Sequence, residues 1–259
     1  MRVINSALHF ANVHSLKNIR LLWSANSVLQ ASFIDLFRPI ETVQLIRFHF
    51  LLFYCILKEK LFKTSVLRQP ALFSGYRYFN DINIQGLQFN KAYWTSCGTN
   101  LIFNTCFDFY STAAENNYYH LFKPQPYLQH RIDAISKLFK GQVAGVHIRR
   151  TDHEASKENS STHLFMAQLD KMFLTGSIEM IYLSTDDLQT ETELRERYPA
   201  NIISIPNKVL DRNTKKGIED ALVDMYCLSN THFILGSYQS TFSEVAAAIG
   251  NLPLIIVRS

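Results

Sequence analysis

Beyond residue 141 the apolar positions fall into short unbroken runs separated by segments of helical period. Runs at 142–148, 179–184, 201–205, 232–236 and 253–257 have the length and density of strands buried on both faces. The segments 164–175, 188–197, 217–229 and 242–250 space their apolar residues three and four apart, as Ile218, Leu222, Met225 and Leu228 do. That spacing forms one stripe of a helix. Strand and helix in alternation predict a parallel sheet covered on both faces. Ahead of it, Tyr127 to Phe139 reads as a connecting helix approached through Pro124 and Pro126, prolines marking a break. Residues 58–117 are rich in aromatics but show neither period nor motif, and acceptor contacts are the role left for them.

Composition narrows the picture. With 259 residues, 47% of them hydrophobic, the chain buries a large core and makes one or two α/β domains. The formal charge of +4 hides opposed halves: residues 1–140 hold 15 Lys or Arg against 7 Asp or Glu, and 141–259 hold 11 against 15. A basic half suits an anionic glycan or a membrane surface, but ordinary solvated charge is the preferred reading. No basic stripe is dense enough for nucleic acid. Cys55, Cys97, Cys106 and Cys227 lack any Cys-x-x-Cys spacing, so they are expected to be reduced core residues and not a zinc or redox site. The start has no charged segment leading into an apolar one, which makes the cytoplasm the default location. The run Phe48 to Leu57, between Arg47 and Lys58, Lys60 and Lys63, is too short to span a bilayer. It is either a core helix or a peripheral membrane contact.

Candidate chemistry sits at the ends of the runs. Gly145-Val146-His147-Ile148-Arg149-Arg150-Thr151-Asp152 puts two guanidiniums and a carboxylate directly after a strand, where α/β sheets hold ligands. Two planar donor forks in succession suit a diphosphate; a pair of surface ion pairs is the plain alternative. Gly236 to Glu244 follows the fourth run and opens a helix, with Thr241 and Glu244 at capping-box spacing. A helix start of this kind attracts anions. Asp220 and Asp224 lie a turn apart on the 217–229 helix, and a carboxylate there is able to accept the paired donors of a guanine edge or simply be solvated. Asp186 and Asp187 end the 179–184 run, as metal ligands or, preferably, as a helix cap.

Four ordered blocks, His147 to Asp152, Leu183 to Asp187, Asp224 with Leu228-Ser229, and Gly236 to Glu244, resemble the superfamily of α-1,6-fucosyltransferases, protein O-fucosyltransferases and the rhizobial nodulation fucosyltransferase. The likeness covers about residues 141–257. It implies an α/β fold of GT-B type with two Rossmann-like units and a cleft between them: 1–140 on the acceptor side, including the interdomain helix, and 141–259 for the nucleotide sugar. It implies fucose transfer from GDP-fucose to a glycan acceptor, inverting, with no metal and no cofactor beyond that donor. Arg149 then resembles the essential arginine on the diphosphate, with Arg150 beside it and His147 and Asp152 close to the nucleotide. Asp224 resembles the reader of guanine, Ser240, Thr241 and Phe242 the phosphate-binding segment, and Asp186 and Asp187 a block lining the cleft. Glu158 falls nearest to the proposed base, with Glu154 next. Val3 to Ala11, Ile19 to Trp23 and Ala31 to Phe37 resemble the helix, second strand and following segment of bacterial members, in which a first strand and a Gly-rich loop come before this helix. An incomplete N-terminal unit is therefore expected. With it come two alternatives: a member that binds a nucleotide or only folds, without turnover, and a GT-B transferase of another nucleotide sugar.

Overall fold

The structure, a computed structural model, describes residues 1–23, 29–62, 71–73, 75–112, 115, 118–151 and 154–259. By its internal contacts the chain divides into two units, Met1–Ser24 with Pro39–Phe122, and Ala25–Arg38 with Lys123–Ser259.

In the first unit α1 (Arg2–Val13) buries Ile4, Leu8, Phe10 and Ala11. Parallel strands β1 (Ile19–Leu21) and β2 (Val43–Leu45) follow, and then α3 (Phe50–Phe62); α2 (Phe33–Leu36), which lies between the two strands in sequence, belongs to the second unit. A three-stranded sheet has β3 (Ala71–Phe73) antiparallel to β4 (Tyr76–Asn80) and β4 parallel to β5 (Leu101–Asn104). Between β4 and β5 come two short helices, α4 (Asp81–Gln85) and α5 (Lys91–Ser96), and a 3₁₀ turn at Tyr119–Leu121 closes the unit. A cavity of about 360 Å³ is bordered by α1, by Ile19 to Leu22 and by Thr99 to Phe103. Consecutive residues border it, not alternate ones, so the edges of β1 and β5 face it, and among the described residues neither edge pairs with a further strand.

Several aromatic residues between 76 and 110 form a core. Phe79, Trp94 and Phe109 are fully buried. Phe103 stacks on Phe109 at 4.0 Å between centroids, and Phe79 meets Trp94 edge-on at 4.9 Å. Offset and edge-on ring pairs of this sort add about 0.5–1.5 kcal/mol each beyond their burial. Among the cysteines, Cys55, Cys97 and Cys227 are buried as expected, and Cys106 is exposed.

The second unit is a five-stranded, all-parallel sheet. Its strands are β6 (Val143–Ile148), β7 (Met180–Thr185), β8 (Ile202–Ile203), β9 (Phe233–Ser237) and β10 (Leu254–Val257), in the order β10-β9-β6-β7-β8. The helices are α6 (Pro126–Ser136), α7 (Glu154–Asn159), α8 (Thr162–Leu174), α9 (Leu188–Arg197), α10 (Lys215–Ser229) and α11 (Thr241–Gly250). The apolar runs predict all five strands to within one residue at each end, except at the end of β8, which shortens to two residues. The polar helix α7 carries no apolar stripe and was not expected. Val146, Ile148, Phe165, Leu169, Leu183, Leu194 and Leu235 make the core. By contacts the division falls at 122/123 and not near residue 140, because α6 packs on α10, with Arg131 paired to Asp220, and α2 is fastened to the chain just before α6. Arg38 N–H donates to the Lys123 carbonyl at 2.8 Å and Gln125 N–H to the Leu36 carbonyl at 2.9 Å. The Lys215 ammonium meets Asp35 at 2.5 Å, and with Ser32 it holds the Asp35 carboxyl down at about 2.

Candidate functional site

The sheet order reverses between β6 and β9, since the chain proceeds from β6 to β7 and β8 on one side and then returns to β9 and β10 on the other. At such a switch point the loops leaving two adjacent strands diverge and open a crevice at their carboxyl ends. The loops here are Arg149-Arg150-Thr151 after β6 and Tyr238-Gln239-Ser240 after β9. Two of the four blocks seen in the sequence thus meet at one place.

Polar bonds fix the first loop from both sides. Arg149 N–H donates to Ser237 Oγ at 3.1 Å, and Ser237 Oγ donates to the His147 carbonyl at 3.3 Å. Arg150 N–H donates to Asp186 Oδ1 at 2.7 Å, and the Thr151 hydroxyl to Asp186 Oδ2 at 2.7 Å. Asp186, expected to line the cleft, is the carboxylate that holds this loop. Asp187 caps α9: its side chain accepts from Thr190 N–H at 2.8 Å and from the Thr190 hydroxyl at 2.6 Å, which lowers its pKa. A nucleotide-binding role for Asp187 gives way to that cap. Asp152 lies outside the described residues.

The two arginines separate. The Arg150 guanidinium donates to the Ser160 carbonyl at 2.6 Å and to Thr162 Oγ1 at 3.1 Å, bracing the turn between α7 and α8. Those donors are engaged within the protein, so the two guanidiniums do not form one paired fork.

The second loop enters α11 through Gln239, whose φ of 54° is left-handed. The N-cap is Ser240, one residue before the expected Thr241, and its hydroxyl does not cap the helix. It lies 3.3 Å from His147 Nδ1 instead. Phe242, in the first turn, stacks on the His147 ring at 4.7 Å and 27°. The first-turn amides of a helix have no acceptor within the helix, so Thr241 and Phe242 bring donors and dipole to the crevice. Gly236 permits this approach, since a Cβ there would stand 2.6 Å from the Ser243 hydroxyl.

His147 is buried, and burial holds its pKa down to about 3; Asp186 pulls the other way, while the charges of Arg149, Lys208 and Arg212 push it further down. His147 is thus a buried neutral imidazole beside a paired set of charges, Lys208 with Asp224 and Arg212 with Asp186. Lys208 and Arg212 carry no motif and escaped the sequence reading; only their basic character marked them.

Asp224 is 3% exposed. The Tyr182 hydroxyl donates to Oδ1 at 2.6 Å, and the Lys208 ammonium to Oδ2 at 3.0 Å. Burial raises its pKa although Lys208 and Tyr182 pull it back. Lys208 also donates to the Thr185 carbonyl at 2.6 Å. Asp224, expected to read guanine, is thus a buried carboxylate with a donor on each oxygen. Asp220, fully buried, is held by Lys216, Val209 N–H and Arg131 of α6. α7 meets the second loop through Ser156, whose Oγ donates to the Tyr238 carbonyl at 2.7 Å, and Tyr238 N–H donates to Ser160 Oγ at 2.8 Å; Glu158, two residues from each, is exposed. Glu154 is paired with Lys157 at 2.8 Å. Among the described residues no three His, Cys, Asp or Glu gather as a metal site.

Two outcomes are expected. Because the folded pKa of His147 lies below its unfolded value near 6.5, the stability it confers is full above that pH and is lost as pH falls toward 3. Denaturant titrations from pH 7 to 4 should show a slope of up to about 1.4 kcal/mol per unit from this ring, flattened in His147→Gln; identical acid limbs would show that the ring is not buried neutral. Asp224→Ala strands a buried ammonium and should cost roughly 3–5 kcal/mol of stability, while weakening GDP, ADP and UDP alike. A loss confined to GDP would return Asp224 to the base.

The family model of α-(1,6)-fucosyltransferase N- and catalytic domains matches residues 116–250, just over half of the chain. Solved structures share the fold at low identity. NodZ α-1,6-fucosyltransferase co-crystallised with GDP is 17% identical with a TM-score of 0.56, over 93% of this chain and 85% of that one. POFUT1 in complex with GDP-fucose is 10% identical with a TM-score of 0.58, over 99% and 93%. A mutant of Arabidopsis thaliana FUT1 in complex with GDP is 14% identical with a TM-score of 0.61, over 98% and 66%. With more than half of its residues matched by the family model and its α/β architecture shared with these enzymes, the chain belongs to the α-(1,6)-fucosyltransferase family.

Proposed function

We propose that the chain transfers fucose from GDP-fucose to a hydroxyl of a glycan acceptor, inverting the anomeric carbon and using no metal ion. The observation that carries this reading is the switch-point crevice, where the loop bearing Arg149 and the first turn of α11 meet. NodZ and POFUT1 were crystallised with GDP or GDP-fucose, which supports the choice of donor. As the bond from the anomeric carbon to the diphosphate oxygen breaks, negative charge grows on the leaving group. Arg149 and the first-turn amides of α11 stabilise it where they stand, with little reorganisation. The acceptor oxygen forms its bond on the opposite face of the sugar, and its proton passes to a carboxylate, a role we give to Glu158. Since Asp224 is occupied by Tyr182 and Lys208, guanine selectivity has no assigned residue, and a transferase of another nucleotide sugar is the second reading. Competition of GDP, ADP and UDP for the wild-type protein separates the two.

Arg149→Ala should keep the fold and weaken GDP binding by roughly 1.5–3 kcal/mol, the worth of a charge-assisted bond. Arg149→Lys should not restore it, because an ammonium lacks the planar fork. Equal affinities by calorimetry would remove Arg149 from the diphosphate. Glu158→Gln should lower kcat by about a hundredfold or more with GDP affinity unchanged; an unchanged kcat would place the base elsewhere.

A further inference from the structure

The helix α3, Phe50–Phe62, reads FLLFYCILKEKLF, apolar around most of its circumference. Such a helix is normally covered on every side. Here one side is covered, with Cys55 6% exposed and Leu51, Leu52 and Ile56 half-buried. On the other side Phe50, Phe53, Tyr54 and Leu57 are 64%, 53%, 41% and 43% exposed. Their spacing of three, four and seven residues from Phe50 places all four on one stripe. Phe48, 62% exposed, extends the stripe beyond the helix start, its ring 5.8 Å from that of Phe53.

Charge selects the occupant. Exposed Arg47 and Lys58 stand at the two ends of the stripe, and residues 47–68 hold five Lys or Arg against one acid, Glu59. Aromatic and aliphatic side chains between cations match a bilayer interface, where rings sit at headgroup level and cations meet lipid phosphate. At 13 residues the helix is about 20 Å long, short of the ~30 Å hydrocarbon core. Among the described residues no helix is long and apolar enough to cross a membrane. We propose that α3 and Phe48 form a membrane-surface contact, lying in the plane of an anionic bilayer with the Phe50, Phe53, Tyr54 and Leu57 stripe inserted and Arg47 and Lys58 on headgroup phosphates. The proposal is independent of the transfer reaction proposed above.

Sedimentation with vesicles tests it. Wild type should pellet with phosphatidylcholine vesicles containing about a third phosphatidylserine and bind about tenfold less to phosphatidylcholine alone. The double variant Phe50→Ser with Phe53→Ser removes exposed rings only, so its circular dichroism and melting should match wild type while its vesicle binding falls about tenfold or more. Lys58→Glu should weaken binding to the anionic vesicles selectively. Wild type remaining in the supernatant, or a double variant that binds as wild type does, would overturn the proposal. A wild-type dimer in light scattering that the double variant breaks would assign the stripe to a second copy of the chain instead.

Discussion

Three strands of the second unit meet at one backbone segment, and the carboxylate of Asp186 at the end of β7 is what keeps it there. The chain leaving β6 turns out of the sheet with its N–H groups no longer paired to a neighbouring strand, and buried donors of that sort must find acceptors. Arg150 N–H and the Thr151 hydroxyl find Asp186, and Arg149 N–H finds Ser237 of β9. Arg149 therefore stands between two clamps borne by different strands. Its long side chain starts from a fixed root, which reduces the conformational cost of holding a ligand.

The electrostatics around that root follow from pairing. Lys208 is nearly buried, and its charge is carried there by Asp224 and the Thr185 carbonyl. Arg150 is bound by Ser160 and Thr162, and Arg131 by Asp220. The charges that act on His147 are Asp186 on one side and Arg149, Lys208 and Arg212 on the other, and burial keeps the ring neutral. A charged imidazole would repel Arg149 and strengthen the pull on an anion; the neutral ring instead packs on Phe242 and meets the Ser240 hydroxyl.

Much of the second unit was legible because each strand is an uninterrupted apolar run and the helices between them carry apolar stripes. The bonding within the site was less legible. Arg149 and Arg150 look equivalent in sequence, and only the turn between α7 and α8, built on the polar segment Glu154–Asn159, shows that Arg150 braces it. Asp224 looked like an acceptor awaiting a ligand because its partners, Tyr182 and Lys208, lie 42 and 16 residues away. Ser240, not Thr241, holds the cap position, and its hydroxyl meets His147 in place of the helix amides. The first unit resisted for another reason: its strands are three to five residues long, too short to show a period, and its aromatic side chains form a core through pairings distant in sequence.

The second unit is discontinuous: Ala25–Arg38 belongs to it, yet Pro39–Phe122 intervenes before the rest. During synthesis the α2 segment leaves the ribosome well before Lys123, Gln125 and Tyr127, the residues to which it is bonded. At about 5–20 residues per second the interval is several seconds, long compared with the microseconds in which such a chain collapses. Throughout it Phe33 and Phe37, which end up 1–2% exposed, have no native neighbours from the C-terminal part of their unit. A nascent chain of this design presents two aromatic side chains to whatever attends the ribosome exit, and its second unit completes only after most of the chain has been made.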